Sequence, residues 1–344
     1  MLGFAKWVVG ILAVVIVFAA AVMLFGPREP VDTAISFDPS GLPADAKDLD
    51  AYLAEAEASV ADLKPEVARR IVWAAEPGRK TPYSIVYLHG FSATSEETRP
   101  VPDRLAEAIG ANLYFTRLSG HGRDGAAMAE PLAGDWIEDT AEAMAIGRRI
   151  GEHVLIVSTS TGGNLAVIAA SDNKISEKLA GIVFVSPNFG IANPLAAVLG
   201  LPWVRHWGPS LFGSTRSFEP VNDRHAYYWT REYPAVAVVP VKALVDYTGT
   251  IDFKSLTVPA LFFFSIEDRT VSPDAILDVF VQWGGSKQLE PRKTGPQDDP
   301  NSHVIAGDIL SPGQTDETVA IMVEWARDLI AVTDILAPSP EQGQ

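Results

Sequence analysis

The sequence predicts an α/β fold, in which a mostly parallel, doubly wound sheet carries an inserted cap and is preceded by one N-terminal transmembrane helix. Three observations predict it. From about residue 70 onward, short runs of consecutive apolar β-formers alternate with longer helical stretches. One segment, residues 190–256, breaks that alternation with prolines and aromatics. Residues 7–25, WVVGILAVVIVFAAAVMLF, hold no charged or strongly polar side chain.

In chain order, the apolar run comes first. As a helix its 19 residues span roughly 28 Å, close to a bilayer's hydrocarbon core. Lys6 before it and Ala19, Ala20 and Ala21 within it also suit a cleaved secretory signal. Val22, Met23, Leu24 and Phe25 carry the apolar run beyond those alanines, where a cleaved signal turns polar, so a retained anchor (residues 1–26) is expected. A buried core helix would show a polar stripe. The expected orientation places the N-terminus inside and the rest of the chain outside the cytoplasm, the alternative being a secreted or periplasmic protein after cleavage.

Residues 27–43 hold Pro27, Pro30, Pro39, Gly41 and Pro43 and read as a tether rather than a packed element. Leu49, Tyr52, Leu53, Ala56, Val60 and Leu63 then recur at helical spacing and predict an amphipathic helix over 48–63, so 27–68 forms a tether plus helix. The main domain, 69–335, begins with RIVWA (70–74) and continues through SIVYLHG (84–90), NLYFTRL (112–118), HVLIVSTS (153–160), GIVFVSP (181–187) and ALFFFSI (260–266). Runs apolar on consecutive residues suit strands buried on both faces of a parallel sheet. Helices are expected around 96–109, 135–150, 162–170, 273–283 and 316–332, and a polar tail over 336–344. In such a sheet ligands bind at the C-terminal ends of the strands. The segment 190–256, with Trp203, Trp207, Phe212, Phe218, Tyr227, Tyr228, Trp229 and Tyr233, reads as a cap over those ends, the alternative being ordinary sheet-covering helices.

Composition narrows the function. Hydrophobic residues at 47% are too many for a disordered chain, and the net charge of −16 repels nucleic-acid phosphates and anionic lipid head groups. Nucleic acid is therefore not expected as a partner. With no cysteine in 344 residues, disulfides, thiolate metal sites, Fe–S clusters, lipoprotein anchors and a cysteine nucleophile are excluded. No His/Asp/Glu group has metal-ligand spacing and no G-x-G-x-x-G follows a strand, so no cofactor and no metal are expected.

The sharpest local signal is HVLIVSTSTGGNLAVIAA, an apolar strand running through Ser158-Thr159-Ser160-Thr161-Gly162-Gly163 into a helix. It resembles the nucleophile elbow of the α/β-hydrolase fold, with Ser158 where the usual G-x-S-x-G pattern has its first glycine. The resemblance makes Ser160 the nucleophile. The strand at 84–88 ends in His89-Gly90-Phe91, and in the resembling family the loop here and the residue after the nucleophile supply the oxyanion-hole amides. Carried over, these are the backbone N–H groups of Phe91 and Thr161.

SIEDRTVSP puts Asp268 just past a strand, and NSHVIAGD puts His303 in a polar loop before the last helix. The order Ser160, Asp268, His303, with the cap between the first two, is the order of an α/β-hydrolase triad. Glu267 is the rival for Asp268, whereas Asp298 and Asp299 lie too close to His303 and off any strand end. His89 reads as structural and His121 as a loop-holding residue; His153, His206 and His225 carry no recognisable chemistry. LSGHGRD (118–124) resembles the corresponding loop of the monoacylglycerol-lipase and carboxylesterase branch, a resemblance covering about residues 80–332. It implies a serine hydrolase acting on carboxylic esters with an apolar acyl or alcohol group, a small-molecule or lipid ester being the partner along with the membrane. The same triad also runs thioesterase, amidase or C–C hydrolase chemistry. A non-catalytic membrane-tethered binding protein would keep the scaffold and lose a triad member. Dehalogenases and epoxide hydrolases use an aspartate where this elbow has Ser160.

Overall fold

A computed structural model describes residues 2–336. The chain runs through α1 (Leu2–Phe25), α2 (Leu49–Ala58), β1 (Arg70–Val72), β2 (Thr81–Leu88), α3 (Val101–Ile109), β3 (Asn112–Phe115), α4 (Ala133–Ile150), β4 (Gly151–Thr159), α5 (Thr161–Ser171) and β5 (Leu179–Val185). Between β5 and the next strand of the main sheet lie α6 (Val204–Phe212), β6 (Thr215–Ser217), α7 (Asp223–Tyr228), β7 (Glu232–Pro234) and α8 (Val238–Thr248). Strand β8 (Ala260–Phe264), α9 (Pro273–Gln282), β9 (Lys287–Pro291) and α10 (Pro312–Leu336) complete it.

Seven strands form one sheet in the order β1-β3-β2-β4-β5-β8-β9, parallel except for the antiparallel pairing of β1 with β3. The period of two along a strand explains the unbroken apolar runs. Val86 and Leu88 of β2, with Val154 and Ile156 of β4, face Trp136 and Met144 of α4 and Leu165 of α5 in one buried layer. Ile85 and Tyr87, with Leu155 and Val157, face Leu105 of α3 and Met322 and Ala326 of α10 in the other. Both faces are covered, so neither can carry the polar alternation of a half-exposed sheet.

The register places the strand ends where chemistry is assembled. Leu88 pairs with Ser158 and Thr159 with Val185, bringing the turn at His89–Phe91 beside the end of β4.

Several sequence expectations change. The helix expected over 96–109 starts at Val101: Pro100 disfavours helical backbone at Arg99, and residues 96–100 form a buried turn instead. The helix expected over 48–63 ends at Ala58. The supposed tether is packed, with Leu42 buried, Val31, Ile35 and Phe37 against the main core, and Glu138 of α4 accepting the amide of Phe37 at 2.9 Å. Part of the expected cap covers the sheet after all, since Val241 and Leu244 of α8 join the core of α4 and α5. Strand β9, with its mixed sequence KQLEP, and the antiparallel pair β6–β7 had no apolar run to reveal them. Of the polar tail expected over 336–344, residues 337–344 lie outside the described residues.

Helix α1 is long and apolar enough to cross a bilayer, with mean hydropathy 3.1 over Lys6–Phe25 and none of that window buried against the rest of the chain. Helix α2 is fastened to the sheet edge by charge. Glu57 accepts from Arg117 Nε at 2.7 Å and Nη2 at 2.9 Å and from Arg69 Nε at 2.7 Å, with all three side chains largely buried.

Candidate active site

Ser160 joins β4 to α5 in a backbone conformation, φ 51° and ψ −117°, that L-residues rarely adopt and that costs about 1–3 kcal/mol. The surroundings hold it there. Its amide donates to Val185 O at 3.1 Å, and its carbonyl accepts from Gly163 N and Asn188 N, each at 2.9 Å. The turn is so close to β2 that a Cβ on Gly162 would sit 2.1 Å from Leu88 O. Ser158, where the usual pattern has glycine, is tolerated because its hydroxyl turns back to donate to Val183 O at 3.1 Å.

Asp268 and His303, distant in sequence, meet across the ends of β8 and the loop before α10. His303 Nδ1 and Asp268 Oδ2 are 2.8 Å apart. Since a carboxylate only accepts, the shared proton belongs to Nδ1 and the lone pair to Nε2. Asp268 Oδ1 also accepts from Thr270 N at 2.7 Å and Val271 N at 2.9 Å, which fixes its carboxylate. Burial works against the charged imidazolium, but Asp268, with Asp299 and Glu97 behind it, outweighs burial and raises the His303 pKa above the ordinary histidine value.

The rivals separate cleanly. Glu267 is exposed. Asp299 Oδ2 accepts the amides of His303 at 3.0 Å and Val304 at 2.9 Å, and Asp298 accepts from Gly295 N and Gly313 N, so both shape the loop.

Phe91, Thr161, Ser160 and His303 line one cavity of about 570 Å³. Thr161 N opens α5, at the positive end of its dipole. On either side of Phe91 the amides are taken: Gly90 N donates to Glu97 Oε2 at 2.7 Å and Ser92 N to His121 Nε2 at 3.1 Å. Among the described residues, the Phe91 and Thr161 amides have no acceptor. His121 therefore holds the loop, and His89 is structural, receiving Leu118 N at 3.1 Å with its pKa lowered by burial to about 4.

Sequence reasoning missed Glu97. It is fully buried, reaches the cavity wall, and is pushed up to about 7 by burial, against the Gly90 amide and the nearby His303. Nothing in SEET marks a buried carboxyl, and its place in an expected helix start hid it. His225 was also passed over. It lines the cavity, stacked on Phe218 with ring centroids 5.0 Å apart and edge-on to Trp229 at 4.8 Å. The rest of the wall is mostly apolar, with Leu195, Val198, Val204, Phe212 and Tyr233 contributed by the segment between β5 and β8.

Residues 85–302 match the model of the alpha/beta hydrolase family. The chain belongs to that family. A thermostable monoacylglycerol lipase from Bacillus sp. (strain H-257) is 25% identical to this α/β hydrolase over 218 residues, 63% of this chain and 83% of that enzyme. Among solved structures, one from work on LipS and LipT, two metagenome-derived lipolytic enzymes, has TM-score 0.59 at 19% identity and covers 78% of this chain and 99% of its own. The monoacylglycerol lipase of Paleococcus ferrophilus has TM-score 0.55 at 15% identity, covering 76% and 98%. A soluble variant of the Saccharomyces cerevisiae monoglyceride lipase has 0.56 at 12%, covering 76% and 91%. These structures share the fold, and the chain is a lipase- and esterase-like α/β hydrolase.

Proposed function

We propose that this α/β hydrolase is a membrane-anchored serine hydrolase that cleaves carboxylic esters with an apolar acyl or alcohol group, monoacylglycerols among them, through a Ser160-His303-Asp268 triad. The observation that carries this reading is Ser160 in its strained turn at the wall of the same apolar cavity as the hydrogen-bonded His303–Asp268 pair. The similarity to a monoacylglycerol lipase supports the substrate class.

In this mechanism His303 Nε2 takes the Ser160 hydroxyl proton as Oγ bonds to the ester carbonyl carbon. The carbonyl oxygen becomes an oxyanion, held by the Phe91 and Thr161 amides; losing one such donor costs typically about 2.7–4 kcal/mol of barrier. As the tetrahedral adduct collapses, the carbon–alkoxide bond breaks and the imidazolium returns its proton to the departing alcohol. A water molecule, deprotonated by the same nitrogen, then attacks the acyl-Ser160 ester; the bond from the acyl carbon to Oγ breaks, the imidazolium returns its proton to Ser160, and the acid is released. Asp268 keeps the imidazole in the tautomer this cycle needs. In this reading α1 is the anchor and the catalytic domain lies outside the cytoplasm.

Incubation of the full chain with a fluorophosphonate probe, with mass-spectrometric mapping and p-nitrophenyl esters of graded chain length alongside, tests the reading. The expected result is labelling at Ser160, with ester turnover that disappears in Ser160→Ala and His303→Ala. Folded protein with neither label nor turnover overturns it in favour of a binding protein, and full activity in His303→Ala overturns the triad.

A further inference from the structure

The end of α1 is fastened to one part of the molecule. A Cβ on Gly26 would lie 2.6 Å from Pro202 Cβ and 2.9 Å from Trp203 Cζ3, so helix and cap meet with no space between them. Trp203 N donates to Pro27 O at 3.0 Å, Arg28 Nη1 to Gly200 O at 2.8 Å and Arg205 Nε to Glu29 Oε2 at 2.9 Å. All these partners lie within residues 200–205, where the 3₁₀ turn Pro194–Gly200 passes into α6.

That junction belongs to the cavity wall. Leu195, Val198 and Leu199 of the turn and Val204, Pro209 and Phe212 of α6 line the cavity that holds Ser160. The same two elements also present apolar side chains to solvent at the rim of that cavity: Leu195 and Phe212, wall residues themselves, are 73% and 58% exposed, and neighbouring Leu211 is 71% exposed. Nothing in the described chain covers them, although burying a leucine or phenylalanine is worth about 1.5–3 kcal/mol. Helix α1 leaves the body here with Lys6–Phe25 wholly unburied, so a bilayer holding α1 meets the protein at this face.

We infer that the 3₁₀ turn and α6 form a membrane-docking surface, with Leu195, Leu211 and Phe212 inserted into the interfacial layer of the bilayer that holds α1, so that the mouth of the cavity opens toward lipid. The ester enters from the membrane rather than from bulk water, and the polar links to Gly200, Trp203 and Arg205 set the angle between anchor and cap. This rests on the reading of α1 as a retained membrane anchor. The polar backbone of the 3₁₀ turn and the headgroup zone suit each other, since an interfacial segment buries its apolar side chains only about 5–10 Å deep.

The absence of native cysteine makes the test direct. The full chain, carrying an environment-sensitive fluorophore at Val14→Cys, Leu211→Cys or Val281→Cys, is reconstituted in phosphatidylcholine vesicles containing spin-labelled lipid. Val281 is 72% exposed near the end of α9, where the chain leads back to the N-terminal end of β9 and the opposite end of the sheet from the cap. The expected result is strong quenching at 14 and 211 with none at 281. Quenching at 14 with a label at 211 as water-exposed as that at 281 overturns the docking surface and leaves the anchor standing. Quenching at neither 14 nor 211 removes anchor and docking together. A label at 211 that is shielded from water yet unquenched by lipid means that a second copy of the chain covers the face, and this too overturns the inference.

Discussion

Glu97 sits behind the turn that carries the Phe91 amide: its Oε2 accepts Gly90 N at 2.7 Å, and Tyr87 OH approaches the same oxygen at 3.3 Å. Tyr87 is in turn bonded to Thr98 Oγ1 at 2.9 Å and lies 3.2 Å from Thr159 Oγ1, one residue before Ser160. A carboxyl buried between the turn at His89–Phe91, the proposed oxyanion turn, and His303 acts on both.

The first consequence is a pH profile. In the proposed mechanism His303 must be neutral to act as a base, so kcat/KM is expected to rise with pH through its pKa, with a midpoint above the ordinary value of about 6.5. Asp268, Asp299 and Glu97 all contribute to that elevation. Glu97→Gln keeps an acceptor for the Gly90 amide and removes the negative charge that Glu97 carries once ionised, so the acid limb of kcat/KM moves down. An unmoved or raised limb contradicts the coupling.

The strain at Ser160 predicts a trade between activity and stability. Ser160→Gly removes the hydroxyl and also relaxes a φ of 51°, a conformation glycine adopts freely. Against the greater freedom of its unfolded chain, the expected net gain is about 1 kcal/mol over Ser160→Ala, read by thermal unfolding. Both variants lose turnover. Equal stability of the two would mean that the turn carries no strain.

Gly162 is a steric requirement of the same turn. Alanine there would bring Cβ to 2.1 Å from Leu88 O, a backbone atom whose strand is fixed by pairing on both sides. Gly162→Ala is expected to cost about 3 kcal/mol or more and to lower kcat sharply, because relief requires moving either the turn at Ser160 or the turn at His89–Phe91. Wild-type melting temperature and kcat would refute this.

Much of this was legible in the sequence, for identifiable reasons. The strands were visible because a sheet buried on both faces writes unbroken apolar runs, as in SIVYL and VLIV. The candidates Ser160, Asp268 and His303 could be picked out because each follows a strand end or precedes the last helix in a recognisable order, and the structure brings Asp268 to His303 and sets His303 and Ser160 on one cavity. Three things escaped. β9 contributes an edge with three polar side chains in five residues, so it has no apolar signature. The stretch 27–43 looks like a linker by its prolines, while what packs it is a few residues, Phe37 and Leu42 among them, meeting a helix over a hundred positions away. Glu97 escaped because burial of a charged residue is a tertiary fact with no local pattern.

Asp139 predicts how stability depends on pH. It is partly buried on α4, accepting Ser119 N and Ser119 Oγ, and loss of hydration pushes its pKa up to about 7. A carboxyl whose folded pKa lies above its unfolded value of about 3.9 stabilises the fold fully below that value and loses the contribution as pH rises through 7. Asp139→Asn, which keeps an acceptor for Ser119 N and never ionises, is therefore expected to gain on the wild type between pH 4 and pH 8, by at most about 4 kcal/mol. Unfolding at the two pH values measures it, and a constant difference between variant and wild type rules it out.

Glu57 tests whether the N-terminal segment is part of the domain or an accessory to it. Its carboxylate is shared between Arg69 and Arg117, which come from the start of β1 and the loop after β3, and its Oε2 also accepts the Arg69 amide at 3.0 Å. Glu142 of α4 pairs with Arg69 from the other side, so α2, the sheet edge and α4 meet at one buried cluster of charges. Removing the central carboxylate leaves the Arg117 guanidinium buried without its partner and Arg69 with only Glu142. Breaking a buried pair from one side costs about 3–5 kcal/mol, more than the pair itself contributes, because the remaining charge keeps its desolvation penalty. Glu57→Ala is expected to destabilise by that amount in thermal or urea unfolding, and Glu57→Gln, which still accepts hydrogen bonds, by less. A loss under about 1 kcal/mol in Glu57→Ala would mean that α2 can leave the sheet at little cost, and that the packing of residues 27–68 is incidental to the hydrolase domain.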